Sequence, residues 1–436
     1  MPNPFASPLW RNQAFVRLWA AASISIFGSL ITRIALPLVA ILTLGAGPIE
    51  VAVLRGVDLG AMFLVGLVAG AWVDRLRRRP VLIWADLGRA VLLGSIPVAF
   101  VLGGLGFPQL LIVAGSAAIL TVFFDTADNA YLPSIVERER LVEANGALSA
   151  SGSVAEVAGF GLSGILVAAL SGPITILIDA VTYVVSAILL LSIRSREAPP
   201  PNPEDREPVL DEVRSGLRRV RHDPVLLALA EAQMVTAAVW GVYGTIWFLF
   251  FIEELRLGVA TIGVVAAVGG VASFIGAVMA QRSTRRFGVG TVAIWAMLVT
   301  AIGNILVPLA PAGWPLVALA CLVGAQLIAD SAQTMFDIVD ISVRQSRVAD
   351  RELGRVGATV SVMSVAVQLA ATIGAGVLAE VIGLRPTIMI AALGALAGPV
   401  ILYRSPVRLL RDLPTMDSRE PAEVVVELER ERPVGA

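Results

Sequence analysis

The chain has 436 residues, 57% hydrophobic and 15% charged, with a formal net charge of −1. Soluble globular domains carry about 25% charged residues, so this is a membrane composition. Every basic side chain except His222 is arginine, which excludes a Schiff-base or phosphate-loop lysine; lone Cys321 and lone His222 exclude an internal disulfide and a Cys- or His-built metal site.

A membrane crossing takes about 20 apolar residues. Twelve such spans are expected, near 15–43, 51–73, 81–103, 109–131, 146–170 and 174–193, then 224–252, 259–281, 290–310, 315–340, 356–382 and 386–403. The polar, Pro-containing start lacks the pattern of a cleavable leader. Turns are punctuated by Gly45-Ala46-Gly47-Pro48, Gly106-Phe107-Pro108, Ser171-Gly172-Pro173 and Pro311-Ala312-Gly313. Arginine sets the orientation. With the N-terminus inside, the outer loops keep only Arg256 and Arg385, whereas Arg33, Arg55 and Arg89 lie within spans and all other arginines fall on the inner side. Both termini are therefore expected in the cytoplasm, and the chain in a bacterial inner membrane.

Residues 195–223 separate two halves. Ala198-Pro199-Pro200-Pro201-Asn202-Pro203 reads as an extended linker. Val209, Val213, Leu217 and Val220 then recur at helical spacing among charged residues, predicting an amphipathic helix at the membrane surface, either a resting linker or a regulatory switch. The expected units are residues 1–194, a six-helix bundle; 195–223, the linker; 224–405, a second bundle; and 406–436, a charged tail without aromatics, expected to be disordered.

The halves repeat. Phe124-Asp125-Thr126-Ala127-Asp128, with Leu141, Asn145 and Ser149 after it, returns at constant offset as Phe336-Asp337-Ile338-Val339-Asp340 with Leu353, Gly357 and Ser361. Paired aspartates at the end of an apolar run are costly in hydrocarbon, so their return in one register points to a duplicated membrane half. In the tenth span Gln326, Asp330, Gln333, Asp337 and Asp340 share one helix face, a stripe suited to a water-filled cavity and not to lipid. The fifth span carries Glu156 where the eleventh carries Gln368. An ionisable group with a neutral twin points to a task for one half, and proton uptake and release is the natural one; a Glu satisfied by a neighbouring hydroxyl or Arg is the structural alternative. Glu156 is the first candidate for proton coupling and Asp330 the second.

Arg33, Arg55, Asp58 and Asp179 are charges in the outer half of the first bundle, where Arg33 or Arg55 is expected to pair with Asp58 or Asp179. Arg33, Asp58, Gln326, Gln333, Trp240 and Tyr243 are candidates for lining a cavity; Trp240, Tyr243 and Trp247 suit an apolar or cationic ligand, although such residues also mark membrane interfaces. Between spans two and three runs Gly70-Ala71-Trp72-Val73-Asp74-Arg75-Leu76-Arg77-Arg78-Arg79. Gly70, Asp74, Arg75, Arg78 and Arg79, with Asp125, Asp128, Asp337 and Asp340 at the same end, are candidates for an inner gate made and broken between conformations.

That loop resembles the signature of the major facilitator superfamily, except that Arg77 stands where a Gly is usual. A worn second copy runs through Gly276, Arg282, Arg285, Arg286 and Gly288, with Ala280 in place of the acid. Asn12, Phe15, Leu18-Trp19, Gly28, Asp86 with Arg89-Ala90, and Leu132-Pro133 to Ala144-Asn145 resemble the bacterial exporter branch that contains enterobactin and macrolide efflux proteins. Asp125 and Asp128 stand where drug–proton antiporters often carry Arg, and Gly159-Phe160 where they carry Gly-Pro. The resemblance implies an all-α membrane protein of twelve transmembrane helices in two pseudo-symmetric bundles, lined by spans one, four, seven and ten. It implies secondary transport, by proton-coupled efflux of a small, partly apolar drug-, macrolide- or siderophore-like molecule. Uptake on the same fold, or a non-transporting scaffold or sensor, are the alternatives. No cofactor beyond the proton gradient, no enzyme activity and no nucleic-acid partner are expected; the partners are a small molecule and the bilayer, and the chain is expected to be a monomer.

Overall fold

The computed structural model describes residues 7–73, 76–137, 140–194 and 209–412. Apolar runs of this length satisfy their backbone groups within helices, the arrangement lipid demands. The first six are α1 (Gln13–Leu38), α2 (Pro48–Val73), α3 (Arg78–Val101), α4 (Phe107–Ile135), α5 (Leu141–Leu170) and α6 (Gly172–Ser192). The linker helix follows as α7 (Val209–His222). Then come α8 (Pro224–Leu249), α9 (Val259–Phe287), α10 (Val289–Leu309), α11 (Pro315–Arg347), α12 (Asp350–Ile382), and α13 (Leu384–Gly394) with α14 (Ala397–Arg404). Among the described residues, 11 helical stretches are long and apolar enough to cross a membrane, α13 and α14 counting together as one. The remaining long helix, α2, has 26 residues and packs between α4 and α12.

Starts are set locally. Asn12 caps α1 through Ala14 and Phe15, and proline opens the first turn of α4, α6, α8 and α11, where the missing N–H is harmless. The repeat shows in detail: α1 runs into a π turn at Val39–Thr43 and α8 into its counterpart at Phe250–Glu254. The α5–α6 corner is Ser171 at φ 73, ψ 157; the matching α12–α13 corner is Gly383 at φ 89. That backbone region is nearly closed to side chains. Ser171→Gly is therefore expected to stabilise the protein by about 1–3 kcal/mol, read as a higher melting midpoint in detergent. An unchanged or lower midpoint counts against the strain.

Helices α1–α6 pack among themselves, as do α8–α14; the two sets meet along α5 against α9 and α2 against α12. The core explains the shape. At the end poor in arginine, one apolar cluster runs across both sets, from Leu38, Val39 and Leu54 to Phe250, Phe251 and Leu322. At the arginine-rich end the core divides. Phe15, Leu82, Tyr131 and Leu190 fill the first set, while Leu229, Val292, Phe336 and Leu402 separately fill the second. The molecule is thus sealed at one end and splayed at the other. The Pro-rich linker and the tail from residue 413 lie outside the described residues; the first residues of the expected tail are ordered instead, Pro406–Leu409 forming a turn with Val407 buried and the Leu410 carbonyl accepting from Gly290 of α10 at 2.8 Å.

Candidate functional site

The seal rests on two seams. On the first, a Cβ built on Gly164 of α5 would fall 2.6 Å from the Gly263 nitrogen and 2.9 Å from the Val259 carbonyl of α9. On the second, a Cβ on Gly376 of α12 would strike Ala52 and lie 3.0 Å from the Pro48 carbonyl of α2. Small residues permit these backbone approaches, which larger side chains would prevent.

Just below the first seam, Val157 of α5 packs against Gly270, and Asp330 and Gln326 of α11 press on Gly269 of the same α9 turn. The double glycine therefore brings α5 and α11 close to α9 from two sides. Glu156, beside Val157, is exposed, and Asp330 is half-buried. Both acids lie near the middle of their helices, of 30 and 33 residues. Glu156 has no hydrogen bond or ion pair among the described residues. At the corresponding depth of the second seam, Leu369 of α12 lies against Gly56 of α2, and the nearby charges are Arg55 and Asp58, paired at 3.3 Å. One seam thus carries two acids, and the other a self-neutralising pair. The Arg55 guanidinium reaches across to the hollow left by Gly244 of α8. Arg33 is exposed.

A second charged cluster, which the spacing alone did not single out, lies inside the first set. Arg89 is 2% exposed and Asp86 0% exposed. Their side chains pair at 2.5 Å. The guanidinium lies between the Phe124 and Tyr183 rings, 4.4 and 4.2 Å from their centroids. Tyr183 and Ser29 share a hydrogen bond of 2.8 Å. Asp179 does not pair with Arg33 or Arg55; it is fully buried and accepts from Thr182 at 3.1 Å, beside Gly28 of α1.

The other candidates divide. Tyr243 does not line a cavity: it is buried, and its hydroxyl donates to the Asn304 carbonyl at 2.8 Å, as a buried phenol requires. Trp240 is exposed, and Trp247 packs on Phe248 and Phe251. The α11 stripe is not uniformly open. Gln333 is buried and donates to Asp337 at 2.9 Å, and Asp340 is buried against Arg344 one turn on. Asp125 is exposed, and Oδ1 of Asp128 has no hydrogen-bond partner among the described residues. Among the described residues, the contacts that Asp337 and Asp340 make stay within the second set. Asp74 and Arg75 lie outside the described residues, and of Gly70 only its place in α2 is described. Arg79 donates to the Leu190 carbonyl at 2.9 Å and the Leu191 carbonyl at 2.6 Å, at the end of α6. Arg78 sits at the start of α3.

At the start of α8, Asp223 caps the helix through Val225 at 2.9 Å and is gripped by Arg347 at 3.0 and 3.2 Å. Burial pushes its carboxyl up, but the Arg347 hydrogen bonds and charge, with the Val225 and Leu226 amides, outweigh this and hold it below the usual carboxylate value. A depressed value means the grip is complete above the ordinary aspartate range and is lost only as pH falls through the lower folded value. Asp223→Asn is expected to lower the melting midpoint by a similar amount at every pH from about 5 to 8, with the gap closing only below about 4. A gap that closes between pH 7 and 5 contradicts this.

Residues 18–336 match the family model described as Major Facilitator Superfamily. The chain is similar to the Multidrug efflux pump Tap of Mycolicibacterium fortuitum, 27% identical over 78% of this chain and 82% of that protein. It is also similar to the Multidrug efflux pump Tap of Mycobacterium tuberculosis, 25% identical over 98% of each. Among solved structures it superposes on a bacterial homologue of the iron transporter ferroportin in the inward-facing state, with TM-score 0.74 and 18% identity over 90% of this chain and 98% of that one. For the outward-facing state the TM-score is 0.58, with 19% identity over the same shares of 90% and 98%.

Proposed function

The chain belongs to the Major Facilitator Superfamily, and from that premise we propose that it exports a small, partly apolar molecule across a bacterial cytoplasmic membrane in exchange for protons. Membership makes it a secondary transporter of a small-molecule substrate and not an enzyme. The finer reading rests on one observation: under the sealed seam, one turn of α9 at Gly269 and Gly270 takes Asp330 on one side and Val157, next to Glu156, on the other, while the opposite seam has its own counterion. Two carboxylates drawn together repel, so a proton on the pair favours the sealed state. Protons enter from the outer side, close it, and leave toward the splayed arginine-rich end, which the positive-inside rule puts in the cytoplasm. Substrate loads from that end, near Gln326 and the exposed face of Trp240, and the two sets rock about the seams in alternating access. The better superposition on an inward-facing structure supports that assignment of ends. The full-length similarity to Tap supports export over uptake, and an ancestry among drug exporters.

The test has two stages. Purified protein is screened by thermal shift against antibiotics, dyes and siderophores at two pH values, since a ligand that binds the folded state raises its midpoint. Hits are then followed in inside-out vesicles with an imposed pH gradient. Export requires accumulation driven by interior acidity and collapsed by a protonophore. Accumulation that ignores the gradient removes proton coupling from the proposal.

A further inference from the structure

We propose that Asp179 is a proton-binding site buried between α1 and α6, separate from Glu156 and Asp330, and that the proton held there keeps the two helices together. Asp179 is 0% exposed and has no ion pair among the described residues. Its Oδ1 accepts from the Thr182 hydroxyl at 3.1 Å, and its Oδ2 has no hydrogen-bond partner. An ionised carboxylate left in that condition is very costly inside a membrane protein, and such a group neutralises instead. Arg89, which stacks on Tyr183 one turn further along α6, does not supply the missing charge. It is committed to Asp86 at 2.5 Å and to Thr121 at 3.4 Å. Two buried acids thus stand against one guanidinium, and the second acid reaches balance by taking a proton. Oδ2, which accepts from nothing, is the oxygen that carries it.

The niche is built by both helices. Gly28 of α1 makes the room: a Cβ there would strike Asp179 Oδ1 and the Thr182 hydroxyl. The next residue, Ser29, shares a hydrogen bond with Tyr183. Thr32, one turn after Gly28, faces the same carboxyl with a hydroxyl that has no partner of its own, and can accept from a protonated Oδ2. The charged and titratable groups that face Asp179 are Asp86 and Arg89 of α3, with Tyr183 on its own helix. Among the other charges on helices packed against α6, Arg33 of α1 and Glu143 and Glu156 of α5 are exposed, while Arg17 and Arg79 bond carbonyls at the far end of α6. An ionised Asp179 would need water, and water reaches it only where α1 leaves α6.

The carboxyl is followed directly, by infrared spectroscopy of the full chain in phosphatidylcholine nanodiscs near neutral pH. A protonated carboxyl gives a C=O band that a carboxylate lacks. The difference spectrum of parent against Asp179→Asn is expected to contain that band. The band is expected to persist in Glu156→Gln with Asp330→Asn, whatever becomes of proton-driven transport there, so this site and the coupling pair stand or fall separately. Thr182→Val keeps the acid and removes the hydrogen bond to Oδ1, which should move the band to higher frequency. Stability gives a second readout. The folded chain holds a proton that the unfolded chain releases, so this site's contribution to stability falls as pH rises. Asp179→Asn, which mimics the neutral acid, is expected to melt within about 2 °C of the parent near pH 6 and above it near pH 9. No carboxyl band in the difference spectrum, or a midpoint lowered equally at both pH values, overturns the proposal. A sodium-dependent rise in the parent's midpoint that Asp179→Asn loses also overturns it, giving the site to a metal cation. If Asp179→Asn does not fold, an unshifted band in Thr182→Val overturns the proposal by itself.

Discussion

Glu156→Gln is expected to abolish pH-gradient-driven transport, by about 100-fold or more, while changing substrate affinity by less than a few-fold. Glutamine keeps the shape of the side chain and removes its titration. Because the neutral form mimics the protonated acid, the seam at Gly164 and Gly263 should stay sealed with or without a gradient. Cysteine accessibility on the two faces reads this directly: the variant should be labelled from the arginine-rich end and protected at the other. Asp330→Asn should cause a smaller loss, since Glu156 is exposed and Asp330 is half-buried against Gly269. Converting the second seam's pair to neutral residues, as Arg55→Leu with Asp58→Leu, should leave the proton dependence in place. Gradient-driven transport by Glu156→Gln at the parent rate would falsify the coupling role.

The second large effect is on stability. Arg89→Ala removes the counterion of Asp86 in the interior of the first set, and a broken buried pair costs about 3–5 kcal/mol because the remaining charge is left uncompensated. The loss should show as a large fall in the melting midpoint in detergent. Arg89→Lys should recover little of it, because an ammonium cannot lie flat between the Phe124 and Tyr183 rings and still reach Asp86 in the same plane. Removing both charges, as Arg89→Met with Asp86→Leu, should be milder than Arg89→Ala alone. A double variant no more stable than the single one would mean that the pair is not the source of the loss.

Helix number, arginine placement and the twofold repeat were legible in the sequence because each depends on hydropathy or register along one dimension. Glu156 and Asp330 were legible as separate oddities, an acid with a neutral twin and an acid in an apolar helix. Their meeting was not, because it depends on Gly269 and Gly270 admitting two helices at once. Tyr243 read as a cavity residue because its spacing with Trp240 and Trp247 does not reveal which way a phenol turns; the Asn304 carbonyl decides that. Arg79 read as part of a gate because its loop is rich in arginine; its bonds to the α6 carbonyls were not legible, because they depend on where α6 ends in space. Asp86 and Arg89 lie three residues apart on one helix, a spacing equally common on wet surfaces, and only packing from α4 and α6 makes them interior.

Gly164 and Gly376 stand at equivalent positions of the two copies. Each seam is therefore the other turned about a pseudo-twofold axis: α5 on α9 here, α12 on α2 there. Before fusion of the copies, this would have been the self-complementary face of a homodimer, where any one change acted on both sides at once. A single chain is released from that constraint. Gly164 now meets a second glycine, Gly263, whereas Gly376 meets Ala52. Covalent linkage of two alike faces thus lets one seam pack glycine on glycine while the other packs glycine on alanine, a difference that a symmetric dimer could not encode.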